Sequence, residues 1–200
     1  MIDHIIYAAP DLNDAIQTFA QTYGVEATPG GPHLGFGTRN ALIGLDRGAY
    51  LELMAIDPAQ AVPPERRFFG LDRDSPPRYL AWCARSSRTL EETAAIAREA
   101  GFDLGEIFGM SRRHPSGELM SWQLTSPFAD RSTVLPFYID RGEVPSPALS
   151  LPPSLTLDSL TLVHPEAGRV RAILDALGEN GVRVVPGPAP AFEVRLRRHS

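Results

Sequence analysis

Hydrophobic and polar residues alternate along the chain with two different periods, and these periods predict strands and helices in a repeating order. The segment Ile2–Ala8 has the pattern of a strand, and Asp11 is the expected N-cap of an amphipathic helix that Gly24 ends. Strand candidates at Asn40–Leu45 and Tyr50–Ile56 follow, separated by a turn sequence that favours a hairpin. The beginning of the chain therefore predicts a β-α-β-β-β module.

The same order of elements returns further along the chain. Tyr79–Ala84 has a strand pattern, Thr89 and Glu92 have the spacing of a capping box, and Gly101 is expected to end the helix. A shortened third copy begins with the strand pattern Leu155–Val163 and continues into a short apolar helix. An α+β module used twice, with a partial third β-α-β unit, explains this spacing.

Proline-rich and glycine-rich connectors set the expected boundaries between these parts. We predict a first module over residues 1–75 and a second over residues 76–141. A linker rich in proline covers residues 142–154, and the partial third unit covers residues 155–200, ending in a solvated basic tail.

Composition restricts the class of protein. The chain has 200 residues, of which 43% are hydrophobic and 22% charged, with a net charge of −5. Without a recurring basic stripe, we expect no nucleic-acid partner. Without a long apolar run or a signal-peptide pattern, we expect no membrane partner either. The single Cys83 cannot form an intrachain disulfide, which favours a reducing, cytoplasmic location.

Three polar residues are predicted to share one face of the first module. Side chains alternate across a strand, so His4, Asn40 and Glu52 all point away from the face that packs under the helix. Single polar groups in apolar surroundings need partners or a ligand. A hydrogen-bonded structural histidine and a solvated glutamate are the alternatives to a functional site.

The residues around these positions resemble a known family. Ile2–Leu12, Gly37–Leu42 and Tyr50–Leu53 are similar to motifs of the glyoxalase-like domain family, in the vicinal oxygen chelate superfamily of glyoxalases, bleomycin-resistance proteins and extradiol dioxygenases. The likeness continues through Leu80–Trp82 and Pro136–Ile139. The resemblance implies paired βαβββ modules that form curved mixed sheets around a cleft, with helices on the convex side.

The resemblance also implies a divalent metal site. His4 and Glu52 occupy the ligand positions of the first module, and His33 in the following loop is a candidate third ligand. Imidazole and carboxylate suit zinc, iron, manganese or nickel. The second module departs from the pattern, because Ala81 and Pro136–Tyr138 offer no ligand where the family has one.

These observations lead to two functional hypotheses. The first is a metal-dependent lyase or dioxygenase of the glyoxalase type that acts on a small oxygen-bearing molecule. In it Glu52 is the catalytic base, while Asn40, Arg112 and Trp122 bind the substrate. The alternative is a metal-free protein that sequesters a small molecule, as bleomycin-resistance proteins do. A homodimer is compatible with both hypotheses.

Overall fold

The computed structural model describes residues 1–113, 119–126 and 134–199, and the predicted β-α-β-β-β order occurs in it twice. The chain divides into two units. The first unit contains His4–Leu80, Ser146–Asp158 and Leu196–Ser200; the second contains Met1–Asp3, Ala81–Pro145 and Ser159–Arg195. Within the described ranges, no helix combines the length and apolar character needed to cross a membrane.

Strands outnumber helices throughout, which confirms the predicted α+β class. The first module consists of β1 (Ile2–Ala9), α1 (Leu12–Tyr23), β2 (Thr28–His33), β3 (Thr38–Leu45) and β4 (Tyr50–Ile56). The second consists of β5 (Arg78–Ala84), α2 (Leu90–Glu99), β6 (Ile107–Arg113), β7 (Leu119–Thr125) and β8 (Phe137–Asp140). The rest of the chain forms β9 (Pro153–His164), α3 (Ala167–Leu177), β10 (Arg183–Pro186) and β11 (Ala191–Arg198).

Both predicted helix starts are confirmed by their caps. The Asp11 side chain accepts hydrogen bonds from the backbone N–H groups of Asn13 and Asp14, at 2.7 and 3.2 Å. Thr89 and Glu92 form the reciprocal capping box of α2. These contacts satisfy N–H groups that the first turn of a helix leaves without a partner, so local sequence alone locates both helices.

Strand β4 lies at the centre of the sheet in the first unit. It pairs in parallel with β1, placing His4 opposite Tyr50, and antiparallel with β3, placing Leu42 opposite Glu52. Strand β2 continues the sheet beyond β3, with a register shift between Pro29 and Gly31. Every residue of β4 is buried. The four strands β1, β2, β3 and β4 therefore share one face of the sheet, and side chains on that face can approach the middle of β4.

The second unit repeats the topology with a different core. Strand β8 pairs in parallel with β5 and antiparallel with β7, which in turn pairs with β6. Trp82 is fully buried and donates its indole N–H to the carbonyl of Val134 at 2.9 Å. The buried Asp3 carboxylate accepts a hydrogen bond from Arg141 at 2.7 Å. The second module is therefore a packed structural element in its own right.

The end of the chain differs from the predicted tail. Arg197 and Arg198 are exposed, as expected, but they are the last residues of β11, and Arg197 Nε lies 2.9 Å from Asp158 Oδ1. The third unit thus has one strand more than the predicted β-α-β order. The signal for this strand is the alternation of half-buried and exposed residues along Ala191–Arg198, a period of two that the arginines obscure.

Gly44 is a position where the fold of the first unit admits no side chain. A Cβ added there would lie 2.2 Å from the backbone carbonyl oxygen of Pro152, where β3 meets β9. We expect Gly44→Ala to lower the free energy of unfolding by about 1–3 kcal/mol, because backbone has to move. Urea unfolding measures this. Gly109→Ala, in a strand with open space around the glycine, is the control. Equal stability of the two variants would contradict the packing.

Candidate functional site

A buried carboxylate lies on the face of the first unit that the strand pattern singles out. Glu52 is 5% exposed and His4 is 4% exposed. His4 Nε2 lies 3.4 Å from Glu52 Oε2. The parallel register of β1 and β4 brings these side chains together, because His4 is opposite Tyr50 and Ile6 is opposite Glu52. The predicted meeting of the imidazole and the carboxylate on one face is confirmed.

A second imidazole approaches the other oxygen of the same carboxylate. His33 is the last residue of β2, and its Nε2 lies 3.5 Å from Glu52 Oε1. Its side chain is 12% exposed, compared with 5% for that of His4, so it is the more accessible of the two imidazoles. Glu52 therefore lies between two histidines that come from two different strands.

Strand β3 supplies the hydrogen bonds that hold this group together. Asn40 Nδ2 lies 2.7 Å from Glu52 Oε1 and 3.2 Å from His33 Nε2. Thr38, two residues earlier and on the same face, has its hydroxyl oxygen 2.8 Å from His33 Nδ1. Thr38 is fully buried and Asn40 is 9% exposed. Each of the four strands of the first module thus contributes at least one polar side chain to the site.

Aromatic rings pack beside the two histidines. The His4 ring stacks on Tyr50, with ring centroids 4.7 Å apart. Phe68 contacts His33 edge to face at 5.3 Å and stacks on Phe36 at 4.3 Å. The next residue, Phe69, has a φ of 55°, a backbone conformation that is costly for a bulky residue and that often occurs near functional sites.

Residues 57–71, which follow β4, hold the turn that carries His33. Gln60 Oε1 accepts a hydrogen bond from the backbone N–H of Gly35 at 2.9 Å, and Asp57 donates its N–H to the carbonyl of Gly37 at 2.9 Å. A Cβ on Gly37 would lie 2.7 Å from Cβ of Val62. The turn between β2 and β3 is therefore held from two sides, and His33 is not on a free loop.

The donor set at this site fits a divalent metal. Two imidazoles and one carboxylate are the protein ligands of many catalytic metal centres, and two ligand atoms bound to one tetrahedral zinc lie about 3.4 Å apart. The distances of 3.4 and 3.5 Å from the Glu52 oxygens to the imidazole nitrogens match that spacing. The two imidazole nitrogens face different oxygens of Glu52. Binding of one ion through all three residues therefore requires a side-chain rotation.

The structure brings four of the six predicted site residues together: His4, His33, Asn40 and Glu52. The side chain of Arg112 lies outside the described residues, although its backbone pairs with Met120 in the second unit. Trp122 is on β7, where it is opposite Met110 of β6, and both residues belong to the second unit. Their substrate-binding roles stay predictions.

Sequence reasoning missed Thr38 and the aromatic residues Phe36 and Phe68 as members of the site. Thr38 shares the parity of Asn40 on β3, and that alternation was the available signal. Phe68 belongs to a segment without regular periodicity, and nothing in the sequence connects it to His33.

At the described positions of β5 and β8 where the resemblance places metal ligands, the second module has no histidine or glutamate. Ala81 is on β5, and Phe137 and Tyr138 are buried residues of β8. The Tyr138 hydroxyl donates a hydrogen bond to the buried Glu179 at 3.4 Å. Burial, followed by the nearby negative charge of Glu179, raises the pKa of Tyr138 well above its usual value. This tyrosine therefore remains a neutral hydrogen-bond donor.

Comparison with family models gives one match: residues 2–178 match the model of the glyoxalase-like domain. No functionally curated protein matches the chain in sequence. Among solved structures, a hypothetical protein from Staphylococcus aureus is similar over 98% of this chain and 90% of its own, with 15% identity and a TM-score of 0.71. That similarity shows a shared fold.

Other similar structures are epimerases that match over a smaller part of the chain. The methylmalonyl-CoA epimerase of Streptomyces coelicolor, in complex with 2-nitronate-propionyl-CoA, has 22% identity over 74% of this chain and 98% of its own, with a TM-score of 0.45. The epimerase from Mycobacterium tuberculosis has 21% identity over 74% of this chain and 90% of its own, with a TM-score of 0.43.

Phe68 is expected to stabilise the turn that carries His33, because it is 4% exposed and touches both His33 and Phe36. Phe68→Ala should lower the free energy of unfolding by about 3–5 kcal/mol, as is typical of a buried phenylalanine. Leu34→Ala in the same turn is the control. Because Leu34 is 65% exposed, this substitution should change the free energy of unfolding by less than about 0.5 kcal/mol. A cost below about 1 kcal/mol for Phe68→Ala would show that the ring does not hold the turn.

Proposed function

Because the chain belongs to the glyoxalase-like domain family of the vicinal oxygen chelate superfamily, we propose that it is an enzyme acting on a small oxygen-bearing molecule at the His4–Glu52 site. The observation that carries this proposal is the buried Glu52 carboxylate, which has an imidazole facing each of its two oxygens. A buried charge that serves only stability is costly, and ionisable groups gathered in this way are typical of functional sites.

In this proposal His4, Glu52 and His33 hold a divalent metal of the zinc, iron, manganese or nickel type. When bound, such a metal supplies a Lewis acid that stabilises negative charge on a substrate oxygen. The two imidazoles offer neutral nitrogen ligands and Glu52 offers an anionic one, so the site favours a cation over an anion.

Glu52 is also the proposed base. Its Oε1 accepts a hydrogen bond from Asn40 at 2.7 Å, whereas Oε2 faces His4 Nε2 at the longer distance of 3.4 Å, so Oε2 is the oxygen that we assign to receive a proton. The substrate C–H bond next to a carbonyl breaks and the proton moves to Oε2. The C–H electron pair forms a C=C bond and the π pair of the carbonyl moves to its oxygen, giving an enediolate-type oxyanion. Asn40 orients the substrate in this proposal, and the substrate-binding roles of Arg112 and Trp122 stay predictions from the sequence.

A metal-free binding protein is the second candidate, and a specific observation favours it. The amide N–H₂ group of Asn40 bridges Glu52 Oε1 and His33 Nε2, so both atoms have a hydrogen-bond partner without a cation. In the second module, Ala81 on β5 and Phe137 and Tyr138 on β8 offer no imidazole or carboxylate at the positions where the resemblance places ligands. In this candidate the aromatic rings beside the histidines contact a small organic molecule.

Metal analysis of the protein purified without chelators tests the first candidate. We expect a stoichiometric divalent metal in the natural protein and its loss in His4→Ala and Glu52→Gln, because each variant removes a ligand. His164→Ala is the matched control, since His164 lies in β9 and its side chain accepts a hydrogen bond from the backbone N–H of Glu166. Metal content that is equal in all four proteins would reject the ligand assignment.

A probe with adjacent oxygens tests the choice between the two candidates. Catechol presents two neighbouring hydroxyls, whereas resorcinol presents the same hydroxyls apart. An enzyme that chelates through a metal should show a higher Tm with catechol only when zinc is present. A metal-free binder should gain stability from either phenol with or without zinc, by about 2.7 kcal/mol at a hundred times Kd. If neither catechol nor resorcinol changes the Tm, with or without zinc, both candidate functions are contradicted for phenolic ligands.

A further inference from the structure

Strand β3 donates no candidate metal ligand, yet two of its side chains touch the ligands from both neighbouring strands. Thr38 contacts His33 from β2, and Asn40 contacts both His33 and Glu52 from β4. Thr38 and Asn40 are two residues apart, so they share the face that carries the site. The role of these two side chains follows from what each can donate and accept.

The hydrogen bonds of the site form a chain with one consistent direction. An ionised carboxylate only accepts, so the group that Asn40 places 2.7 Å from Glu52 Oε1 must be its N–H₂. The same N–H₂ lies 3.2 Å from His33 Nε2, which must therefore accept as well. The ring proton of neutral His33 is then on Nδ1, where the Thr38 hydroxyl oxygen accepts it at 2.8 Å.

This direction leaves Nε2 of His33 without a proton, and a metal bound at Nε2 would replace the hydrogen bond from Asn40. A histidine ligates a metal through a nitrogen without a proton, and a hydrogen bond from the other ring nitrogen usually fixes which one that is. Thr38 makes that bond to His33. Asn40 fixes the orientation of the Glu52 carboxylate in the same way.

A glycine makes room for the Asn40 amide. Gly30 is the extra residue where β2 shifts register against β3, directly beside Asn40. A Cβ on Gly30 would lie 2.0 Å from Asn40 Oδ1 and 2.9 Å from its Cγ. Asn40 Oδ1 is buried without a hydrogen-bond partner. The oxygen therefore faces the bare Cα of Gly30, which leaves the N–H₂ end turned toward Glu52.

We infer that Thr38 and Asn40, with Gly30 leaving space for the amide, are positioning residues that preset His33 and Glu52 for a cation. This inference rests on the proposed function, because it assigns the support of the same site. It differs from the sequence-based hypothesis for Asn40: the amide acts on Glu52 and His33, and its contact with substrate is not required.

Metal affinity is the first test. We expect Thr38→Val, which keeps the shape and removes the acceptor, to weaken zinc binding about 10–100-fold in a chelator competition. Thr38→Ser retains the hydroxyl and should bind within a few-fold of the natural protein. Gly30→Ala should weaken binding by displacing Asn40, whereas Gly109→Ala, with open space around it, should not. Zinc affinity unchanged in both Thr38→Val and Gly30→Ala would overturn the inference.

The proton position on His33 is the second test, and it needs no metal. In the metal-free natural protein, ¹⁵N-resolved NMR should show neutral His33 with its proton on Nδ1. Thr38→Val should shift the tautomer population toward Nε2, and Thr38→Ser should restore it. A proton on Nε2 in the natural protein, or no difference between the valine and serine variants, would overturn the inference.

The two tests separate this inference from the proposed function. If the natural protein binds no zinc, the metal-dependent function fails, and the tautomer of His33 alone decides whether Thr38 and Asn40 position it. Where Thr38→Val does not fold, Thr38→Ala removes the same hydroxyl with a smaller side chain, and Gly30→Ala tests the Asn40 part of the inference through zinc affinity. Circular dichroism of each variant establishes that the fold is retained.

Discussion

The buried Glu52 carboxylate is the constraint on which the first unit depends. A charge at 5% exposure is stable only where hydrogen-bond donors or opposite charges replace water. Its partners come from three other strands: His4 from β1, His33 from β2 and Asn40 from β3. A slip of one residue in any strand would turn that partner to the other face. The register of the whole module is therefore tied to one side chain.

The local signals of the sequence were sufficient for most of the elements, β11 excepted, and for the face of the site. The caps of α1 and α2 depend on neighbours within three residues, and the alternation that joins His4 to Glu52 depends only on strand parity. Both were predictable without knowledge of the fold. The departure of the second module from the ligand pattern at Ala81 and Pro136–Tyr138 could also be seen in the residues themselves.

The remaining parts of the site depend on non-local contacts, and the sequence could not show them. Thr38 matters because β2 ends opposite it, and this pairing follows from the register shift at Gly30. Phe68 matters because residues 57–71 fold against the turn after His33. Neither relation leaves a periodic pattern, since an extra residue in a strand and an irregular segment both interrupt the period that sequence reasoning uses. The hydrogen-bonding partners of Asn40 were hidden for the same reason.

The two modules share one topology, but their polar groups have different surroundings. In the first module, the outer face of the strands holds a carboxylate between two imidazoles. In the second, a tyrosine with a raised pKa donates to the buried Glu179. A phenol of that kind is already satisfied as a neutral group, so it has no need of a cation or a substrate. The Glu52 carboxylate differs because its partners include the Asn40 amide and the imidazoles of His4 and His33, and imidazole and carboxylate are groups that can bind a cation. A cation bound between them would place a full positive charge beside the carboxylate. This chemistry is the physical reason to propose the function for the first module.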